Sequence, residues 1–156
     1  MIVSDATILI TLININEFPL LKLFVDLIII PHEVYEEVAY KPYAKTYLDN
    51  EIRLGFICVE SYQNDVLFKE IHYILDDGES ASITMAIERK LPLIIDERKG
   101  RKFAQSQGID VVGLVGILRF LYLEKKVNHD KILMIIEKLN NSDFRISSKL
   151  LGLILA

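Results

Sequence analysis

The stretch that decides the fold is residues 91–107, LPLIIDERKGRKFAQSQ. Its apolar run over 92–95 predicts a short, buried β-strand. The basic, amphipathic segment over 98–107 predicts a helix. Two acids, Asp96 and Glu97, stand between the strand and the helix. A short apolar strand followed closely by a helix indicates an α/β fold.

The start of the chain has the same order. Residues 2–4 predict an apolar strand, Asp5 follows it directly, and residues 6–14 predict a helix. The other predicted elements are strands over 27–30, 55–59 and 109–112, and helices over 18–25, 32–48, 63–73, 78–89, 113–124, 129–139 and 147–154. Strands that are apolar on both faces and alternate with helices predict one domain over 1–156, a three-layer α/β/α sandwich with a mainly parallel sheet of about five strands.

Composition sets limits on the kind of protein. Half of the 156 residues are hydrophobic (51%), which suits a sheet covered by helices on both faces. The net charge of −4 argues mildly against a nucleic-acid binder, but carboxylates that hold metal ions would contribute to it. Cys58 is the single cysteine, so a disulfide within the chain and a zinc–cysteine cluster are excluded. No basic leader precedes an apolar run and no apolar stretch reaches the length of a membrane span, so we expect a cytoplasmic protein with no membrane association.

Two acids follow predicted strands. Asp5 comes after the first strand and Asp96 after the fourth. Because ligands of such sheets bind outside the carboxyl ends of the strands, the topology is expected to place both acids at the same edge. Either one could instead cap the helix that follows it, and the sequence leaves open whether Asp96 or Glu97 faces the site.

Two more acids lie on predicted helices. Glu37 lies about 60° around its helix from the apolar Val34, so it borders the core, or it is simply a surface acid. Glu79 shares the apolar stripe of its helix with Ile83, but Asp76-x-x-Glu79 also matches a capping box. Acids that converge in a protein interior repel one another unless a cation holds them. The four acids together therefore predict a site for a hard cation.

The chain resembles the PIN domain family and, within it, the VapC-related predicted nucleases of prokaryotes. The likeness covers nearly the whole chain and rests on several segments in the family's order: 3–7 (VSDAT), 30–38 (IPHEVYEEV), 75–86 (LDDGESASITMA), 93–104 (LIIDERKGRKFA), 108–113 (GIDVVG) and 143–147 (DFRIS). One position departs from the pattern. Many toxin relatives carry Thr where Ile95 stands, with an acid two residues later, so Glu97 could be the counterpart of the fourth acid instead of Asp96.

The resemblance implies a Mg²⁺- or Mn²⁺-dependent ribonuclease that leaves a 5′-phosphate and a 3′-hydroxyl. It implies that Asp5, Glu37, Glu79 and Asp96 are catalytic. Asp5 and Asp96 are expected to bind the metal directly, and Glu37 and Glu79 to complete its shell or to position the attacking water. Glu97 is the alternative metal ligand. Hard cations of this kind take oxygen ligands, in accord with these residue types.

Expectations about substrate and partners are less direct. Four basic residues begin the helix after Asp96 and could hold RNA phosphates, or they could form an ordinary solvated face; they are Arg98, Lys99, Arg101 and Lys102. Thr7 could be a helix cap or a hydroxyl near the metal and substrate. The resemblance also implies a homodimer and a cognate antitoxin protein as partner.

Other functions fit the residues less well. A haloacid-type phosphatase would need a second Asp where Thr7 stands, and a receiver domain would need an acid pair ahead of Asp5. The remaining alternative is a catalytically inactive PIN-fold module that binds RNA or a partner protein. Such a module would not need all four acids, so the nuclease is the main prediction.

Overall fold

A parallel β-sheet runs through the centre of the computed structural model, which describes residues 1–156. Its strands are β1 Ile2–Ser4, β2 Ile28–Pro31, β3 Ile57–Glu60, β4 Leu93–Ile94 and β5 Val111–Val112. They lie in the order β3-β2-β1-β4-β5, and every neighbouring pair is parallel. Helices cover both faces of this sheet, so the predicted α/β/α sandwich of about five strands is confirmed.

The chain also forms ten helices, three of which follow β5. They are α1 Ala6–Asn14, α2 Leu20–Phe24, α3 His32–Val38, α4 Pro42–Arg53, α5 Asp65–His72, α6 Asp77–Arg89, α7 Arg98–Ser106, α8 Leu114–Leu123, α9 His129–Asn140 and α10 Ser148–Leu155. None of them combines the length and the apolarity that a bilayer crossing requires.

Several predicted boundaries shift by one or two residues; the strand predicted over 109–112, for example, begins only at Val111. Two differences have a clear local cause. The single helix predicted over 32–48 is wrong, because the chain forms α3 and α4 there. Pro42 begins α4, and a proline disfavours the helical conformation for the residue before it. Lys41 is accordingly extended, with φ −90° and ψ 132°, so one helix cannot continue through it. The strand predicted over 55–59 begins only at Ile57, because Gly55 adopts φ 85° in the turn that leads into β3.

Side chains alternate along the strands between two hydrophobic cores. Ile2 and Ile28 enter the larger core, whereas Val3 and Ile29 enter the smaller one. The larger core lies under α1, α4, α8 and α9, and the smaller core lies under α5, α6 and α7. The sheet is therefore buried on both faces, which explains why its strands are almost entirely apolar.

The order of the strands creates a crevice beside β1. From β1 the chain builds β2 and β3 on one side of the sheet, and then β4 and β5 on the other. Open α/β sheets bind ligands outside the carboxyl ends of their strands at such a switch point. Here the N–H of Asp5 donates to the carbonyl of Ile94 at 2.9 Å, which ties the ends of β1 and β4 together. The fold therefore places the end of β1 where a ligand site is expected.

Candidate functional site

Asp5 is the buried acid at the centre of this crevice. It occupies the N-cap position of α1, yet its side chain makes no capping hydrogen bond. The residue is only 4% exposed, and its Oδ1 has no hydrogen-bond partner. Burial raises the pKa of Asp5 to about 7; the N–H of Ala6 lowers it in part, and neighbouring carboxylates raise it further. An unpaired, buried carboxylate requires either a proton or a cation.

Gly78, in the first turn of α6, brings further carboxylates close to Asp5. A Cβ built on Gly78 would lie 3.5 Å from Oδ1 of Asp5, 3.6 Å from Oε2 of Glu37 and 3.8 Å from Oδ1 of Asp76. The three oxygens thus lie within 4 Å of one point, which a side chain at position 78 would fill. We call these three carboxylates together with Glu79 the acid cluster. Glu37 contributes its carboxylate although much of its side chain is exposed.

Asp76 and Glu79 hold each other at the start of α6. Oδ1 of Asp76 accepts from the N–H of Glu79 at 2.8 Å, and Oε2 of Glu79 accepts from the N–H of Asp76 at 3.4 Å. This is the capping box that the sequence pattern allowed. It does not remove Glu79 from the site, because the charge of Glu79 raises the pKa of Asp5. The capping box therefore also orients an acid towards the cluster.

Electrostatic repulsion is shared across the acid cluster. The pKa of Glu37 is raised by burial and then by the charge of Asp76. The pKa of Glu79 is raised by burial, then by Asp76, and further by Glu97 and Glu37, while its bond to the N–H of Asp76 lowers it. The sequence pattern singled out Asp76 only as the possible capping partner of Glu79. Its position three residues before Glu79 was the signal, since a capping box fixes both side chains at the same helix end.

Asp96 lies at the same sheet edge but faces a different set of groups. Its Oδ2 accepts from the N–H of Leu114 at 3.3 Å, and Nη1 of Arg101 lies near it beside Gly113. Burial raises the pKa of Asp96, whereas the Leu114 N–H and the Arg101 charge lower it. A Cβ on Gly113 would be 2.1 Å from Oδ1 of Asp96, so only glycine fits there. Asp96 is therefore held against the start of α8.

Glu97 is the member of this pair that is nearer to the acid cluster. Its carboxylate caps α7 by accepting from the N–H of Lys99 at 3.0 Å and from the N–H of Gly100. Its charge also raises the pKa of Glu79, whereas Asp96 is not among the groups that shift the pKa of Asp5, Glu37 or Glu79. The structure thus brings together Asp5, Glu37 and Glu79, and the roles of Asp96 and Glu97 as metal ligands stay predictions.

The acid cluster fits a hydrated divalent cation. No three of the chain's His, Cys, Asp and Glu side chains are arranged to enclose a metal ion by themselves. Mg²⁺ does not require such a cage, because it keeps several waters and is anchored by one or two carboxylates. Asp5 offers an unpaired oxygen for this purpose, and oxygens of Glu37 and Asp76 lie near the same point beside Gly78. The residues present therefore suit Mg²⁺ or Mn²⁺ better than a metal that needs an all-protein shell.

Basic side chains lie beside the site on α7. Arg98 and Lys99 are exposed and form no ion pair, and Lys102 on the same helix is exposed as well. Arg101 differs, because its Nη1 donates to the carbonyl of Ile95 at 3.0 Å and so serves the protein's own structure. Its predicted contact with RNA stays a prediction. Thr7 is exposed on α1, one residue beyond the start of the helix that follows Asp5.

The family follows from a comparison with known proteins. A family model described as a PIN domain matches residues 1–156, the full length of the chain. The chain belongs to the PIN domain family. PIN domains have a nuclease-type fold, are generally nucleases, and generally use divalent metal ions. A search of curated proteins finds no match to this PIN domain.

Proposed function

We propose that this PIN domain is a metal-dependent endoribonuclease that hydrolyses RNA phosphodiesters. The observation that carries the proposal is the unpaired, buried Oδ1 of Asp5, which faces the space above Gly78 together with oxygens of Glu37 and Asp76. Without a cation, nothing would offset the desolvation of these carboxylates and the repulsion between them. The family supports the same class of activity, since PIN domains are generally nucleases.

The acids have distinct roles in the proposed reaction. Asp5 and Glu37 would hold Mg²⁺ or Mn²⁺ directly, with Asp76 close to the same ion. A cation in this place supplies an activated water and neutralises charge at the phosphate. Glu79 is held by its capping bond and would orient the attacking water. Asp96 or Glu97 would complete the site from the end of β4.

The close approach of the carboxylates also makes metal affinity depend on pH. Because burial and like charges raise the pKa of Asp5 to about 7, part of the Asp5 population carries a proton at neutral pH. A cation must displace that proton, so metal affinity is expected to rise with pH. The raised pKa values of Glu37 and Glu79 act in the same direction. Cleavage at limiting Mn²⁺ should therefore increase as the pH passes through 7.

The test is cleavage of a panel of single-stranded and structured RNAs with Mn²⁺ or with chelator. We expect cleavage with Mn²⁺ that chelator abolishes and that Asp5→Asn reduces by at least about a hundredfold. Asp110→Asn is the matched control. Asp110 is exposed and directly precedes β5, so it lies at the amino ends of the strands, whereas the site lies at their carboxyl ends. An Asp5→Asn protein that cleaves at the wild-type rate would count against the proposal. Binding of RNA without any cleavage in Mn²⁺ would favour the inactive binding module instead.

We also propose, from the family resemblance, that the chain is the toxin of a toxin–antitoxin pair, acts in the cytoplasm and forms a homodimer. The apolar C-terminal helix α10 is one surface that could form such an interface. Ile154 is fully buried in the larger core, so α10 packs on its own domain, while Leu153 remains 51% exposed. Light scattering that finds a strict monomer at micromolar concentration would contradict the homodimer.

A further inference from the structure

A groove of about 620 Å³ borders the acid cluster on the side of α1. Its near end is formed by Glu37, and its far wall by the connection between α9 and α10, which includes Phe144 and Arg145. Its floor along α1 carries three polar side chains, which are Thr7, Thr11 and Asn14. We call this space the α1 groove. Because Glu37 belongs to both, the groove is continuous with the acid cluster.

The hydroxyls on this floor lack partners within the chain. Elsewhere in the protein, a helical threonine bonds the carbonyl four residues before it: Thr46 does so at 3.0 Å and Thr84 at 2.7 Å. Thr7 and Thr11 are also helical, but their hydroxyls make no hydrogen bond to any protein group. Both hydroxyls are thus free to bond a ligand in the groove.

Asn14 completes the row of free donors. Its Oδ1 accepts from the hydroxyl of Tyr43, which fixes the amide and leaves its NH₂ group without a partner. Positions 7, 11 and 14 follow the spacing that places side chains on one face of a helix. At 1.5 Å per residue, the row spans about 10 Å along α1 from Thr7 to Asn14. An extended strand that lies along α1 could therefore contact all three side chains.

A second depression beside the acid cluster is lined by carboxylates and is therefore unfavourable for a nucleic-acid strand. Beside α3 and the start of α6, this depression of about 610 Å³ shares Glu37, Asp76 and Gly78 with the site. Its walls carry the carboxylates of Glu33, Glu36, Asp76 and Asp77. A polyanion is repelled from such a surface. The α1 groove contains Arg145 and neutral donors, with Asp143 as its one acid besides Glu37, so it is the more favourable path for a nucleic-acid strand.

We propose that the α1 groove binds the single-stranded RNA segment next to the scissile phosphate, with Thr11 and Asn14 donating to its phosphate and ribose oxygens. This inference rests on the proposed function and adds the path of the substrate. Contacts of this kind position a strand without reading its sequence. Single strands suit a groove that offers hydroxyl and amide donors along one wall and a half-buried aromatic ring, Phe144, on the other. Arg145, whose guanidinium donates to the carbonyls of Asn140 and Ser142, keeps that wall in place.

The test uses the full chain and a 12-nucleotide single-stranded RNA. Thr11→Val removes one hydroxyl, and Asn14→Leu removes both amide donors without adding a charge that would itself repel RNA. Each lost hydrogen bond should raise KM about two- to tenfold, and the double variant should raise it about four- to a hundredfold, with kcat within about twofold. Thr46→Val is the matched control, since its exposed hydroxyl is bonded within its own helix and lies outside the groove. A double variant with unchanged KM would overturn the proposal.

Two further measurements separate this proposal from the nuclease proposal. The increase in melting temperature caused by Mn²⁺ should be the same in the double variant and the wild type, because the groove contacts lie outside the acid cluster. A reduced increase would mean that the substitutions disturb the metal site and would overturn the assignment to substrate binding. RNA affinity is also measured by fluorescence anisotropy with Ca²⁺ in place of Mn²⁺. If the wild type binds RNA in Ca²⁺ but cleaves none in Mn²⁺, and the double variant binds at least about fourfold more weakly, the assignment of the groove is supported and the nuclease proposal is overturned.

Discussion

Oδ1 of Asp5 lies 3.5 Å from the point where a Cβ on Gly78 would stand, and no protein group bonds that oxygen. The distance is an ordinary van der Waals contact, so Gly78→Ala should fold without strain. Alanine also favours a helix over glycine by roughly 0.5–1 kcal/mol. The added methyl group would lie beside the three carboxylate oxygens and would crowd a cation and its waters held there. We therefore expect an unchanged or slightly higher melting temperature and at least about a tenfold loss of Mn²⁺ affinity and cleavage.

Gly152→Ala is the control for this substitution. Gly152 is also helical, in α10, and a Cβ there would meet no atom within 4 Å. Melting curves with and without Mn²⁺ compare the two variants directly. Retention of the full Mn²⁺-induced stabilisation in Gly78→Ala would mean that the ion does not bind above Gly78.

The pH dependence of stability is predicted from Asp5. Its pKa rises from 3.8 to about 7 on folding, so between these pH values the folded protein keeps a proton that the unfolded chain releases. The metal-free protein should therefore lose stability as the pH rises from about 4 to 7. At about 1.4 kcal/mol for each pH unit, this group alone accounts for at most about 4 kcal/mol. Glu37, Glu79 and Asp96 add to the same trend, because their pKa values are raised too.

Chemical denaturation at pH 5 and pH 8, with chelator, measures this effect. Asp5→Asn should reduce the loss of unfolding free energy between the two pH values, because asparagine does not titrate. An amide left unpaired at this site costs about 1–3 kcal/mol at both pH values, so the difference between them is the informative quantity. A wild-type protein that is more stable at pH 8 than at pH 5 without metal would contradict the prediction.

Asp96 and Glu97 are expected to respond differently to neutralisation. Asp96 accepts from Leu114 and faces Arg101, so Asp96→Asn should lower the melting temperature while it reduces cleavage less than Asp5→Asn does. Glu97→Gln should weaken Mn²⁺ binding, since Glu97 is the acid whose charge reaches Glu79. Isothermal titration with Mn²⁺ and cleavage rates are measured for both variants. A loss of Mn²⁺ binding in Asp96→Asn alone would assign the fourth ligand to Asp96.

Much of the fold could be predicted because its signals are local. Apolar runs such as 92–95 and 2–4 show the strands, and the acids that follow them mark the edge of the sheet. The break between α3 and α4 was also visible as Pro42, but the amphipathic pattern on both sides of it concealed the interruption. Strand order was not readable from the chain, since all five strands are similarly apolar and short.

The site was predictable in part. Asp5 and Glu37 were found because one follows a strand and the other borders an apolar helix face. The approach of Asp5 and Glu37 to α6 and the separation of Asp96 from the acid cluster depend on Gly78 and Gly113, whose missing side chains make room for carboxylates from distant segments. Such room is a property of packing between α6 and β1, or between β4 and α8. A single sequence carries no periodicity that reports it.

The exposed basic side chains of α7 should contribute affinity for RNA without affecting the chemistry. The triple variant Arg98→Gln, Lys99→Gln, Lys102→Gln removes three charges that form no ion pair in the protein. If each contacts one phosphate, the slope of log affinity against log salt should become shallower by about 0.7 for each contact, or about 2 in total. Cleavage at saturating RNA should stay within about twofold of the wild type.

The control for the triple variant is a second loss of three positive charges. This control alters exposed lysines on α5 and just after the ends of α6 and α8, as Lys69→Gln, Lys90→Gln and Lys125→Gln. The side chains of these three lysines make no hydrogen bond or ion pair. The slope of log affinity against log salt for this control should match that of the wild type, because the residues of α7 are unchanged. The control loses the same net charge as the α7 variant, so a difference between them reflects position. Equal slopes in the two triple variants would mean that α7 acts only through the overall field of the protein and that Arg98, Lys99 and Lys102 touch no phosphate.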